Sequence, residues 1–63
     1  MATVTLKGGI SLNVNEDYEE IVKEIYLKID KTNAFIELEC FYLPNVSKIA
    51  CIMISQIVMI EQI

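Results

Sequence analysis

From Ile49 to Ile63 the chain reads Ile-Ala-Cys-Ile-Met-Ile-Ser-Gln-Ile-Val-Met-Ile-Glu-Gln-Ile, with one acidic residue and no basic one. Any strand drawn from this run is apolar on both faces, because alternate residues point to opposite sides of a sheet. A small domain has a single core and can cover only one of those faces by itself. The other face calls for a second subunit or a partner. A transmembrane helix needs about 20 apolar residues, and Ser55-Gln56 breaks the run before that length is reached. The break divides it into two strands.

Size makes the same demand. The chain has 63 residues, enough for one domain spanning 1–63. A domain this small buries only about 60% of the surface its unfolded chain exposes. Such domains gain stability from disulfides, metals or oligomerisation. There is no His and only two Cys, so no metal site is expected. Oligomerisation fits a composition that is 54% hydrophobic.

The net charge is -4, and all five basic residues are Lys. Arg is the residue best shaped for bidentate phosphate and base contacts. Its absence from an acidic chain argues against nucleic acid as a partner. The start of the chain lacks the basic and long apolar regions of a signal peptide, so a cytoplasmic location is expected (host cytoplasm if phage-encoded), with no membrane partner. Ile-, Lys- and Asn-rich, Arg-free usage points to an AT-rich coding sequence, as in a low-GC bacterium or its phage.

The elements follow from periodicity. Val4 and Leu6 alternate with Thr3, Thr5 and Lys7, and Ile10, Leu12 and Val14 alternate with Ser11, Asn13 and Asn15. Both read as strands joined at Gly8-Gly9. A three-residue loop, Gly8 to Ile10, sets Leu6 opposite Leu12 and Val4 opposite Val14 and keeps one face apolar. Asn15 is placed to cap a helix. Glu16, Asp17, Glu19 and Glu20 follow where the helix dipole favours negative charge. Tyr18, Ile21, Val22, Ile25 and Ile29 form its apolar stripe, with Glu19–Lys23 and Glu24–Lys28 as i,i+4 pairs. Leu27 lies opposite the stripe: either the helix has ended there or Leu27 is a contact residue.

Ala34–Leu43 and Lys48–Ile54 read as a hairpin around Pro44-Asn45-Val46-Ser47, and Ile57–Ile63 as a last strand. A symmetric hairpin loop pairs Leu43 with Lys48, Cys40 with Cys51 and Leu38 with Met53. One face then carries Ile36, Leu38, Cys40, Tyr42, Ile49, Cys51 and Met53, the expected core, to which Tyr18 also belongs. The other carries Phe35, Glu37, Glu39, Phe41, Leu43, Lys48, Ala50, Ile52 and Ile54, too apolar for a solvent face. The fold class is therefore α+β: a small β-β-α-β-β-β domain, a bent antiparallel sheet or small barrel with one amphipathic helix, which self-assembles. The order resembles that of Sm-like and SH3-like small barrels, which also end in two short apolar strands after a hairpin. The Sm-like resemblance implies RNA binding, which in this chain requires Lys7, Lys31 and Lys48 to share a surface. The helix here is internal, whereas Sm-like chains begin with theirs, and the Arg-Gly pair of an Sm-type RNA site is absent.

No residue set points to catalysis, and no cofactor is expected. Cys40 and Cys51, facing each other, read as buried thiols, with a disulfide geometrically allowed. A catalytic Cys would need a His or a nearby cation. Glu37 and Glu39 read as rim charges that solubilise a sticky face. Gly8-Gly9 is a turn without a phosphate-binding pattern. The candidate interface is Leu27, Phe35, Phe41, Ala50, Ile52 and Ile54. The candidate docking cluster for a basic partner is Glu16, Asp17, Glu19 and Glu20. The function expected is a non-catalytic homo-oligomeric binding protein, of the kind a phage or mobile element uses as an accessory to inhibit a host protein or sequester a small ligand. The alternative is an Sm-like small-barrel RNA-binding protein.

Overall fold

A computed structural model describes residues 1–28, 34–43 and 46–63. The elements run β1 (Ala2–Leu6), β2 (Ser11–Val14), α1 (Tyr18–Leu27), β3 (Phe35–Leu43), β4 (Val46–Met53), a 3-10 turn (Ile54–Gln56) and β5 (Ile57–Gln62). All five strands form one antiparallel sheet in the order β4-β3-β2-β1-β5. The fold is α+β, as the sequence implies, but the sheet is not a closed barrel: β4 and β5 are its two edges and do not pair.

The sheet must nevertheless curl. Met53 ends β4 and Ile57 begins β5, a four-residue step that reaches at most about 14 Å. A flat sheet would hold its outer strands about 19 Å apart. A register shift between Thr5 and Leu6, where β1 meets β5, adds local twist. The Lys7 N–H then donates to the Gln56 carbonyl at 2.8 Å and fastens the turn to the end of β1.

The β1–β2 hairpin departs from the expected register by two residues. Val4 lies opposite Leu12 and Ala2 opposite Val14. Gly8 and Gly9 both have φ near +90°, a conformation that only glycine adopts without strain. Both therefore sit inside the loop with Lys7, and the ladder closes on Leu6 and Ile10, where the Leu6 N–H donates at 2.7 Å. A shift of two preserves the faces, so Val4 and Val14 are still buried.

The helix starts later than the sequence suggests. Asp17, not Asn15, is the N-cap residue, and it caps without a side-chain hydrogen bond. Ile21 is buried, and Ile25 packs against the core from the same face. Tyr18, expected in the core, is exposed, and Leu27 is still helical and exposed. Of the two anticipated ion pairs, Glu24–Lys28 forms at 3.7 Å; Glu19–Lys23 is not among the pairs found in the described residues. Ile29 and Lys31 lie outside those residues.

The largest correction concerns β4. Leu43 lies opposite Val46, but a register shift between Phe41 and Leu43 then sets Phe41 opposite Ser47, Cys40 opposite Lys48 and Leu38 opposite Ala50. Pairing Leu43 with Val46 moves the register by an even step and spares the faces. The bulge at Tyr42 adds one residue, and a one-residue slip turns every later side chain of the strand over. Ile52 is consequently buried, at 7% exposure, and Ala50 and Ile54 pack against the core. Ile49 and Cys51, expected inside, are exposed. The core joins Ala2 and Val4, Val14, Ile21, the inward side chains Ile36, Leu38 and Cys40 of β3, and Ile52. Each large apolar side chain buried this way stabilises the fold by roughly 1.5–3 kcal/mol.

Candidate binding surface

The side of the sheet away from α1 divides into two halves. On the β3–β4 half, Phe35 and Phe41 are 46% and 36% exposed and Ile49 is 66% exposed. Cys51 is exposed beside them, opposite Glu37, and Met53 is half-buried opposite Phe35. Two carboxylates are set into this surface. Glu39 accepts a hydrogen bond from the Ser47 hydroxyl at 3.1 Å, and Glu37 stands on the same face two residues earlier. β3 thus presents Phe35, Glu37, Glu39 and Phe41 outward, as the sequence indicates. On β4 the bulge replaces the expected Ala50, Ile52 and Ile54 with Ile49, Cys51 and Met53. Nothing in the sequence marks the bulge, since Tyr42 is an ordinary strand residue.

Leu27 lies apart from this face, at the exposed end of α1 beside the exposed Tyr26. The structure therefore places Phe35, Phe41 and Ile49 on one face, with Ile49 diagonal to Phe41 and Phe35 about 20 Å from Phe41 along β3, and leaves Leu27 outside the patch.

β4 is also an open edge. On β3, the Glu39 and Phe35 peptide groups point toward α1 and Asn15. Those of Ile36, Leu38 and Cys40 therefore point toward β4, since successive residues alternate. Their partners Ile52, Ala50 and Lys48 face inward along the ladder. The N–H and C=O groups of Ile49 and Cys51 consequently point out from the sheet. Eight residues long, this edge carries a single charge, Lys48. Edges with so little to block pairing are templates for further strands.

The two cysteines do not face each other. Cys40 is buried and lies opposite Lys48, while Cys51 is exposed on the other face, and both are free thiols. Burial pushes the Cys40 thiol above its ordinary pKa, and the charge of Glu16 pushes it the same way. Its Sγ lies 3.7 Å from the Leu38 carbonyl, so it remains a neutral thiol that packs like a small apolar group.

The acidic residues divide around the start of α1, Glu16 and Glu20 toward the cleft with β3, and Asp17 and Glu19 toward Gln62. Glu16 precedes the helix, and both its carboxylate oxygens accept from the Glu39 N–H, at 3.0 and 3.1 Å. Asp17 pairs with the Met1 ammonium. That hydrogen bond, with the amine's charge, lowers the Asp17 pKa. Glu19 and Glu20 remain in the first turn of α1.

No family model, curated protein or solved structure matches the chain. No helix among the described residues is long and apolar enough to cross a membrane. Of the lysines named for an RNA surface, Lys31 lies outside the described residues. Lys7 is held against Gln56, beyond the Met53 end of β4, while Lys48 sits five residues back along that strand, about 17 Å away from the same end.

Proposed function

We propose that this protein acts by binding rather than by chemistry, as a self-assembling homo-oligomer that uses the β3–β4 half of its outer sheet face. The observation that carries this reading is the exposed set Phe35, Phe41 and Ile49 beside the open β4 edge. Aromatic anchors flanked by apolar side chains are what subunit interfaces are built from. Assembly supplies the stability that a single small core lacks. The biological setting that suits a tiny acidic chain of AT-rich usage is an accessory protein of a phage or mobile element. In that setting it blocks a host protein or holds a small ligand between subunits.

Light scattering on a gel-filtration column tests the first step. The expected result is a mass that is a multiple of the chain mass at low micromolar concentration, and a monomer there removes the reading. Pull-down from the native host with mass spectrometry then separates a protein partner from a co-purifying small ligand.

A further inference from the structure

The cleft between α1 and β3 contains a gap in the sheet. β2 pairs with β3 only at Phe41 and Cys40, through Asn13 and Val14. The preceding half of β3 faces the helix on that side. At one end of this half, the Glu39 N–H donates to the Glu16 carboxylate, and the Glu39 C=O accepts from the Asn15 N–H at 2.9 Å. At the other end, the Phe35 C=O accepts from the Lys28 ammonium at 2.9 Å. Glu37 lies midway, so its N–H and C=O point the same way. Among the described residues nothing bonds to either group.

Side chains thus stand in for a missing strand at both ends. The Glu16 carboxylate takes the place of a backbone C=O, and the Lys28 ammonium the place of a backbone N–H. Between them the N–H and C=O of one residue, Glu37, are open. Phe35 and Glu39 are about 13 Å apart along the strand, room for an extended segment of three residues. The cleft has a volume of about 530 Å³, within the roughly 300–1,000 Å³ of ligand sites. Beneath it lie Ile21, Ile36 and Leu38, almost fully buried in the core.

We infer that this cleft takes an extended peptide segment of a partner polypeptide, one that carries a basic side chain and adds to β3 as a short strand at Glu37. The complement of an open N–H and C=O pair on a strand is another peptide backbone, and strand addition is an established way for a sheet to bind one. The basic side chain follows from the helix wall. Glu16, Glu20 and Glu24 line it against Lys23 and Lys28, and Lys28 is already engaged by Glu24. The chain as a whole carries a charge of -4. The added strand lies in the plane of the sheet on the β2 side of β3, whereas the proposed subunit interface uses outward side chains and the β4 edge; Glu37 gives its backbone to the first and its side chain to the second.

Amide spectra of the full chain labelled with nitrogen-15 test the proposal. The probe is the blocked peptide acetyl-Val-Lys-Val-amide, compared with acetyl-Val-Glu-Val-amide, with a fully N-methylated form of the lysine peptide and with N-methylacetamide. In the free protein the Glu37 amide should exchange with solvent at least an order of magnitude faster than those of Ile36 and Leu38. Equal protection shows that the edge is already filled and overturns the proposal. On titration the lysine peptide should displace the Glu37 resonance, while the methylated peptide should not. Glu20→Lys, an exposed change, should weaken binding of the lysine peptide severalfold. No displacement at Glu37, equal displacement by the methylated peptide, or displacement centred on Ile49 and Cys51 overturns strand addition here. Equal response to N-methylacetamide makes the site one for small amides, and equal response to the glutamate peptide removes the basic requirement; either result refutes the occupant proposed. The mass of the same sample, read by light scattering, judges oligomerisation independently.

Discussion

The outer face of this sheet has solved its exposure to water on one half and not on the other. Across β1 and β2 the outward residues are polar and bond to each other: Thr3 donates to Asn13 at 3.0 Å, and the Thr5 and Ser11 hydroxyls lie 3.1 Å apart. Glu61 of β5 continues that half, with Met59 and, at the register shift, Val58 exposed as apolar exceptions. Across β3 and β4 the outward residues are Phe35, Phe41, Ile49, Cys51 and Met53, interrupted by Glu37 and Glu39. Both halves cover the same core on their inner side. Burial on one face therefore does not determine the other. A face of hydroxyl and amide pairs suits water, and the face of aromatic and branched aliphatic side chains is the one proposed above to meet a second copy.

The sharpest way to break this comparison is to put the same charge on each side of β4. Ile52→Lys should abolish the cooperative thermal transition seen by circular dichroism. Loss of a buried Ile alone costs about 2–5 kcal/mol, an unpaired buried charge costs more, and a domain this size has little stability to lose. A melting curve like the wild type's would place Ile52 outside and invert the assignment of β4. Ile49→Lys, three residues away and on the other side, should keep a cooperative transition, because exposed substitutions usually change stability by less than about 0.5 kcal/mol. Its effect should be on mass: light scattering should show a monomer. If the oligomer persists, the apolar half is not what holds it together.

That pair of substitutions also marks where the sequence stops being legible. The strands, the helix, the inward face of β3 and the outward Phe35 and Phe41 all follow from local alternation and 3.6-residue periodicity. The face of β4 does not, because it depends on how many residues the hairpin absorbs. One bulge at Tyr42 exchanges Ala50, Ile52 and Ile54 for Ile49, Cys51 and Met53 in the candidate surface. In a run apolar on both faces, periodicity cannot show that this has happened. The β1–β2 hairpin shifted too, but by two residues, so its polar and apolar faces survived the error. The cleft at Glu37 was equally hidden. It arises because β2 ends before β3 does, a tertiary fact with no local signature.

On the polar half the expected effects are smaller. Thr3→Ala removes the hydrogen bond to Asn13 and should lower stability by about 0.2–1 kcal/mol, measured from urea midpoints. It should leave the oligomeric mass unchanged. A shift in mass on Thr3→Ala, with none on Ile49→Lys, would exchange the roles assigned to the two halves.

The smallest effect lies at the border of the polar half, where Asp17 joins the Met1 ammonium and Tyr18 donates its N–H to Gln62 of β5 at 2.9 Å. The amine lowers the Asp17 pKa, first by its hydrogen bond and then by its charge. The folded chain therefore binds this proton less readily than the unfolded chain does. By linkage, the contribution of Asp17 is present above the unfolded value of about 3.9 and is lost as pH falls through the lower folded value. Between about pH 5 and pH 2, the wild-type urea midpoint should fall slightly more steeply than that of Asp17→Asn. The group is exposed, so high salt should bring the two profiles together. Parallel profiles at low salt would show that the pair does not hold β1 to the start of α1, leaving the Gln62 contact to fix the helix against β5.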